Sequence, residues 1–341
     1  MKCWILVAFL ALSSLLHADT VLCFTNFPID EAMYTRFLKE RGCDAKVVVH
    51  NIKDYAPLLR KKKGMWNRLK RACDFRKVPL ADDVDKVIFF NISPKVACKY
   101  DLSKFPREKL VLFMWEPKTV LQQMYLPHIQ RCFSRIYTWN DVLVDGKTYF
   151  KFHYPVFRAM TPDLVTFEEK KLCTLIASQL KSHYEHELYS QREAAIDYFE
   201  QSDEESFEFY GRRWSPNQHK SYRGTIDDKI AVMKHYKFVI CYENTQQAPG
   251  YITEKIFDCF AAGTIPIYWG ASNIEEYIPA DCFIDRRRFV SMQELHAFMK
   301  AMSKEEYEAY ILRIHAFLES DAAQKFSWDQ LADAFHQAVA T

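Results

Sequence analysis

Tyr251, Glu254 and Lys255 stand together in the run Tyr251-Ile-Thr-Glu-Lys255. Side chains of these types at this spacing suit a ligand that carries both negative charge and hydroxyl groups. A lysine ammonium neutralises phosphate charge, a carboxylate offers two acceptor oxygens to ribose hydroxyls, and a tyrosine adds an aromatic face and a hydroxyl. If the bond to a diphosphate leaving group breaks, charge grows on its oxygens, and Lys255 with nearby backbone N–H groups would stabilise that charge. The same spacing also describes an ordinary capped helix whose charges face water, and position alone leaves both readings open. Other constellations are weaker. Asp83-Val-Asp85 has the D-x-D form of a divalent-metal site but precedes an expected strand instead of ending one, so it reads as a solvated turn. His183 and His186 form a loose pair in a polar stretch, without the H-E-x-x-H spacing of a zinc site. Trp115, Trp139, Trp214 and Trp269 have rings that stack on sugars, but strand aromatics ordinarily fill a core.

The run lies within a strand, a polar loop, a helix and a second strand: Phe238 to Tyr242, then Thr253 to Ala262, then Thr264 to Trp269. In such a unit the loop after the first strand opens at the carboxyl edge of a parallel sheet, where ligands of open α/β folds bind. Thr253 is suited to cap the helix, which sets Glu254 and Lys255 in its first turn beside free N–H groups. Before it come Leu172 to Ser178 as a strand, Glu185 to Glu200 as an amphipathic helix and Glu208 to Gly211 as a strand; long helices from Ser291 to Ser320 and Ser327 to Ala340 follow. An earlier series of short apolar strands, Val21 to Phe24, Ala45 to His50, Lys86 to Asn91, Leu110 to Trp115 and Arg135 to Trp139, alternates with polar stretches in the rhythm of a second parallel sheet. The expected organisation is a leader over 1–18, an N-terminal α/β domain over 19–155 and a C-terminal α/β domain with closing helices over 156–341. Pro155 and Pro162 interrupt the rhythm near that crossing.

The stretch from Tyr236 to Gly270 resembles the donor-binding signature of the α-1,3/4-fucosyltransferase family, glycosyltransferase family 10. That pattern runs roughly F-E-N-[ST]-Q and then Y-[IV]-T-E-K; here it stands as Tyr242-Glu-Asn-Thr-Gln246 and Tyr251-Ile-Thr-Glu-Lys255. Gly263-Thr-Ile-Pro-Ile-Tyr-Trp-Gly270 and Tyr277-Ile-Pro-Ala-Asp-Cys-Phe-Ile284 continue the likeness, which is dense to about Phe289 and thins toward the N-terminus. The resemblance implies a GT-B fold, two Rossmann-like domains facing a cleft, with the donor on the C-terminal domain. It implies that Asn244, Tyr251, Glu254 and Lys255 hold GDP-fucose. Arg192, in Gln191-Arg-Glu-Ala-Ala-Ile-Asp197, matches the family's phosphate-binding arginine, where a guanidinium could clamp a diphosphate bidentately. The family transfers fucose with inversion by single displacement. Its general base corresponds to Glu116 in Leu110-Val-Leu-Phe-Met-Trp-Glu-Pro117, a carboxylate that must reach the acceptor hydroxyl and take its proton. Asn140 and Asp141, at the next strand end, could orient that acceptor. The implied activity is α-1,3 transfer to N-acetylglucosamine or glucose of a glycan acceptor, an oligosaccharide, glycolipid or glycoprotein, with no required cofactor and at most a stimulatory divalent metal. Use of another GDP-sugar and a catalytically silent glycan- or nucleotide-binding protein are the alternatives. Two departures stand out: the gap from Asn244 to Tyr251 is one residue longer than the pattern and contains Pro249, and Gln179 replaces a common asparagine.

Composition bounds the rest. Over 341 residues the chain has 46 basic and 44 acidic side chains, 49% hydrophobic and 15% aromatic residues. That describes a well-cored globular protein and removes any case for nucleic-acid binding by bulk charge. The exception is the basic segment 60–77, which reads as a solvated face or as a contact for an anionic acceptor or membrane surface. Lys2, the apolar run from Trp4 to Leu16 and Ala18 have the three-part form of a signal peptide or anchor. They imply the secretory pathway or a membrane-associated site, Golgi in a eukaryote and the envelope or cytoplasmic membrane face in a bacterium. Setting aside Cys3, the cysteines show no C-x-x-C pairing, and Cys241 and Cys259 read as buried hydrophobes. Asn91-Ile92-Ser93 is the single glycosylation sequon.

Overall fold

The computed structural model describes residues 20–25, 29–51, 84–92, 105–202 and 207–340. The leader-like residues 1–18, the basic segment 60–77, Asp83 and Ser93 of the sequon lie outside the described residues. The chain sorts into two compact units. One takes the residues up to Met114 with Leu126–Tyr137 and the chain from Ala332; the other takes Trp115–Tyr125 and Thr138–Leu331.

The first sheet runs β1 (Thr20–Thr25), β2 (Lys46–Asn51), β3 (Lys86–Phe90), β4 (Leu110–Met114), β5 (Arg135–Thr138) and β6 (Tyr149–Lys151), in the order β2-β1-β3-β4-β5-β6. β1 pairs in parallel with both β2 and β3, and β3 with β4. β4, Leu-Val-Leu-Phe-Met, is buried at every position, as a parallel strand covered on both faces requires. Aromatic rings stack from strand to strand: Phe90 on Phe113 at 4.9 Å and Phe113 on Tyr137 at 4.7 Å between centroids. Helix α1 (Glu31–Glu40) begins at Asp30, whose carboxylate accepts the N–H groups of Ala32 and Met33. β3 stops before Asn91, which turns into the left-handed region at φ 63°.

The second sheet contains β7 (Lys171–Ile176), β8 (Phe207–Tyr210), β9 (Tyr236–Tyr242), β10 (Ile265–Trp269) and β11 (Ile284–Asp285), ordered β11-β10-β9-β7-β8 with parallel pairings. Helices α2 (Tyr189–Ser202), α3 (Lys229–Met233) and α4 (Glu254–Ala261) make the crossovers. One face buries Ile256, Phe257 and Phe260 of α4 with Phe317 and Phe326; the other buries Ile196 and Phe199 of α2 with Phe209 and Leu295. The chain winds outward from β7 to β8, returns to β9 on the other side, and continues to β10. The winding therefore reverses between β7 and β9, and the loops that leave their carboxyl ends diverge to form the crevice typical of an open α/β sheet.

Two element boundaries differ from the periodic pattern for local reasons. α2 begins at Tyr189 and not at Glu185, because the Glu187 carboxylate accepts the N–H groups of Tyr189 (2.6 Å) and Ser190 (3.0 Å) as a cap would. The run from Ser291 divides into α5 (Met292–Ala301) and α6 (Lys304–Leu318), since Ser303 and Glu306 form a reciprocal capping box that starts a new helix. α7 (Trp328–Ala340) closes the chain.

Candidate functional site

The carboxyl end of β9 continues into Glu243, which is fully buried. A buried carboxylate needs partners, and Glu243 has them. Its Oε1 accepts the backbone N–H of Thr253 at 2.9 Å and its Oε2 accepts the Lys255 ammonium at 2.9 Å, while the Thr253 hydroxyl is hydrogen-bonded to both oxygens. Thr253 is the N-cap of α4 by position, but its hydroxyl makes no cap bond to the helix; it is taken by Glu243 and also receives Lys255 Nζ at 2.8 Å. The expected capping role of Thr253 is thus replaced by a bridge. Burial opposes the charge of Lys255, but Glu243 and Glu254 outweigh burial and lift its pKa above the ordinary lysine value. Lys255 in turn holds the Glu254 carboxyl down at about 2 against desolvation, with help from Lys229. Both side chains are charged at neutral pH.

Arg192, on α2, is buried to 6% exposure and crosses to the same strand end. Its Nε and Nη2 donate to the Tyr242 carbonyl at 3.2 and 2.6 Å, and Nη2 also donates to Asn244 Oδ1 at 3.0 Å. Those bonds occupy Nε and Nη2 and leave the two N–H groups of Nη1 as the guanidinium donors for a phosphate. Asn244 Nδ2 reaches the Tyr251 hydroxyl at 3.4 Å, so the loop that is one residue longer than the family pattern still brings Asn244 to Tyr251. Tyr251 itself is 2% exposed, with its ring against Trp139 at 4.7 Å and Tyr154 at 5.9 Å. The aromatic face expected for a ligand is covered by these rings, and what Tyr251 contributes is the anchoring of Asn244.

Arg192, Asn244, Glu254 and Lys255 line one cavity of about 430 Å³, whose wall also includes Ser178 after β7, Gly211 after β8 and Asp258. Tyr251 and Glu116 are not part of that wall. Three further charged residues were not singled out from the sequence. Asp258 sits one turn beyond Glu254 on α4 and is nearly buried; Lys229 of α3 pairs with Asp258 at 3.2 Å and approaches Glu254 at 3.8 Å, and Arg158 pairs with Asp258 at 3.1 Å. The i, i+4 spacing of Glu254 and Asp258 on a helix that is apolar apart from them and Lys255 was the available signal.

Glu116 follows β4 and belongs to the same compact unit as Lys255. Burial raises its carboxyl above the ordinary value; Lys255 pulls it down, and Glu254 adds to the rise. The segment is held by backbone acceptors. The Glu116 carbonyl takes the Tyr125 hydroxyl at 2.9 Å, and the Trp115 carbonyl takes the Trp139 indole N–H at 3.1 Å and the Tyr154 hydroxyl. Asp141, expected to help orient an acceptor, is filled by other partners. It binds the Lys151 ammonium, Asn273 Nδ2 at 2.9 Å and the Tyr277 hydroxyl at 2.8 Å. Burial disfavours its charge, yet these bonds hold its pKa below the ordinary aspartate value. Asn140 Oδ1 likewise accepts its own loop's Val142 N–H at 3.1 Å. Asp141 therefore braces the loop after β9: its N–H donates to the Pro249 carbonyl at 3.2 Å, and Asn273, which it holds, accepts the Gly250 N–H at 2.8 Å.

Among known proteins, residues 167–330 match the family described as glycosyltransferase family 10 (fucosyltransferase), C-terminal part. An alpha-(1,4)-fucosyltransferase of Arabidopsis thaliana is 39% identical over 98 residues, 27% of this chain and 24% of that protein. An alpha-(1,3)-fucosyltransferase of Helicobacter pylori is 36% identical over 75 residues, 22% and 16% of the two chains. The match therefore spans about a quarter or less of these relatives' length. A solved alpha1,3-fucosyltransferase, crystallised with GDP-fucose, superposes with a TM-score of 0.52 at 15% identity over 94% of this chain and 90% of that one, a likeness of fold. Two parallel α/β units of the GT-B class account for that likeness. The likeness to glycosyltransferase family 10, the fucosyltransferases, is thus carried by residues 167–330.

Proposed function

We propose that the protein is an inverting fucosyltransferase that moves L-fucose from GDP-fucose to a hydroxyl of a glycan, in α-1,3 or α-1,4 linkage. The observation that carries the reading is the convergence of Arg192, Asn244, Glu254 and Lys255 on one cavity at the switch point of the second sheet, with two cations where a diphosphate would lie. The acceptor hydroxyl gives its proton to the Glu116 carboxylate as its oxygen bonds to C1 of fucose. The C1–O bond to GDP breaks on the opposite face, and its electron pair passes to the terminal phosphate oxygen. Lys255 and Arg192 Nη1 stabilise that charge, and Glu254 takes the ribose hydroxyls. Names of relatives that act in both linkages, and the GDP-fucose-bound fold relative, favour this donor class over a silent binding protein. With the cavity's charge supplied by side chains, the reaction requires no metal. The leader-like segment 1–18 suits a membrane-associated or secretory site; among the described residues no helix is long and apolar enough to cross a membrane.

The test is acceptor-dependent GDP release from GDP-fucose on galactose- and N-acetylglucosamine-terminated glycans, with and without EDTA and with GDP-mannose as competitor. Turnover should survive EDTA, lose at least ~100-fold in Lys255→Ala, given the worth of a charged hydrogen bond to growing charge, and vanish in Glu116→Gln while GDP binding persists. Absence of GDP binding by the unaltered chain would sink the reading, and preferential displacement by GDP-mannose would move it to another GDP-sugar.

A further inference from the structure

Glu243 is fully buried, carries a charge partner and has no place in the chemistry just described. Its surroundings leave it no freedom. Its own N–H extends the β9–β10 ladder to the Trp269 carbonyl at 2.8 Å. A Cβ on Gly270 would come within 2.5 Å of Glu243 Cγ, so the side chain is walled in by backbone. One carboxylate oxygen holds the N–H that opens α4, the other holds the Lys255 ammonium, and the Thr253 hydroxyl ties the two together at 2.8 to 2.9 Å. Three donors on one buried carboxylate, the Thr253 N–H, the Thr253 hydroxyl shared between the two oxygens and the Lys255 ammonium, fix both the helix start and the lysine.

We propose that Glu243 is a positioning residue: it presets the Lys255 ammonium and the first turn of α4 for the diphosphate before any ligand arrives. The inference rests on the donor-binding reading of Lys255. An ammonium left free on a flexible stem would have to be ordered when the ligand binds, and a carboxylate already fixed by Thr253 removes that cost. The other groups that act on Lys255 are Glu254 on α4, Arg192 and Tyr189 on α2, Glu116 after β4 and Cys241 on β9. Of these, Glu254 supports the charge and Arg192 opposes it, as burial does. Glu243 is the largest support, so without it burial and Arg192 would dominate.

The experiment follows the Lys255 side-chain carbon by 13C NMR in the ligand-free full chain, the resonance being identified by its absence in Lys255→Arg, together with GDP affinity from pH 7 to 10. In the unaltered protein Lys255 should titrate above the ordinary lysine value, and GDP affinity should stay level to about pH 9.5. In Glu243→Gln the titration should fall by at least one pH unit and below the ordinary value, so that GDP affinity at pH 9.5 drops about tenfold from that variant's own value at pH 7. A folded Glu243→Gln protein with an unmoved titration overturns the proposal. Should Glu243→Gln fail to fold, Thr253→Val decides: it keeps the carboxylate beside the ammonium but cuts the bridge to α4, and should leave the titration in place while weakening GDP binding at least fivefold. An unchanged GDP affinity in Thr253→Val overturns the positioning role. A shifted titration in a protein that never binds GDP ends the donor reading and leaves Glu243's hold on Lys255 standing; GDP binding lost in Lys255→Ala, with no shift in Glu243→Gln, ends this inference alone.

Discussion

At the residue scale, burial sets the pH at which the proposed base works. Glu116 must be ionised to take a proton, and desolvation raises its pKa above the ordinary carboxylate value, with Lys255 only partly offsetting the rise. The sign follows directly: activity is full above the raised value and is lost as pH falls through it. We expect log kcat/KM to decline with unit slope on an acid limb lying above pH 4.5, and Lys255→Met, which removes the offsetting cation, to move that limb further up. A limb at or below that pH would show that Glu116 is not the titrating base. Lys255, Glu254 and Asn244 were singled out by the motif they share with the family, Tyr242–Gln246 and Tyr251–Lys255. Partnership was not readable. Nothing in the linear pattern says that Asp141 would be filled by Lys151, Asn273 and Tyr277, three residues brought together only by the fold.

Elements were more legible than contacts. The strands from Val21, Lys86, Leu110, Phe238 and Thr264 appear within a residue or two of their apolar runs, because a parallel strand buried on both faces leaves an uninterrupted hydrophobic signature. What the pattern missed were boundaries set by side chains, as Glu187 sets the start of α2 and Ser303 divides α5 from α6. The loop between β9 and α4 makes the sharpest demand. Gln247 and Gly250 both take positive φ, at 54° and 80°, and a Cβ on Gly250 would lie 2.3 Å from the Trp139 carbonyl oxygen. Backbone cannot yield as a side-chain tip can. Gly250→Ala should therefore cost about 3 kcal/mol from strain and overlap together, a fall of roughly 6–12 °C in Tm for a unit of this size. Differential scanning calorimetry checks it, and a variant that melts with the unaltered protein would show that the loop relaxes freely.

At the scale of the whole molecule, two α/β series were visible in the rhythm of strands, and both are present as parallel sheets. Chain contacts group Trp115–Tyr125 and Thr138–Leu331, so the unit that contains the cavity is discontinuous in sequence. Discontinuity of this kind cannot be seen in composition, because Pro155 and Pro162 punctuate the chain without marking which residues pack together. It has a measurable consequence. A fragment of residues 156–341 lacks Glu116, Trp139, Asp141 and Lys151, and with them the brace on the loop that positions Asn244 and Tyr251. Such a fragment should bind GDP at least tenfold more weakly than the full chain by isothermal titration calorimetry. Equal affinity would mean that the brace is dispensable.

The contact between Trp139 and Tyr251 also makes the protein its own optical instrument. Trp139 is 2% exposed and lies 4.7 Å from the phenol of Tyr251, whose hydroxyl Asn244 holds. Its emission belongs at the blue edge of the tryptophan band, and any rearrangement of the loop would reach it within a single residue contact. The difference between the unaltered protein and Trp139→Phe would isolate that signal from the other indoles, so a rearrangement of this loop on addition of GDP could be followed in real time without labelled donor or dye.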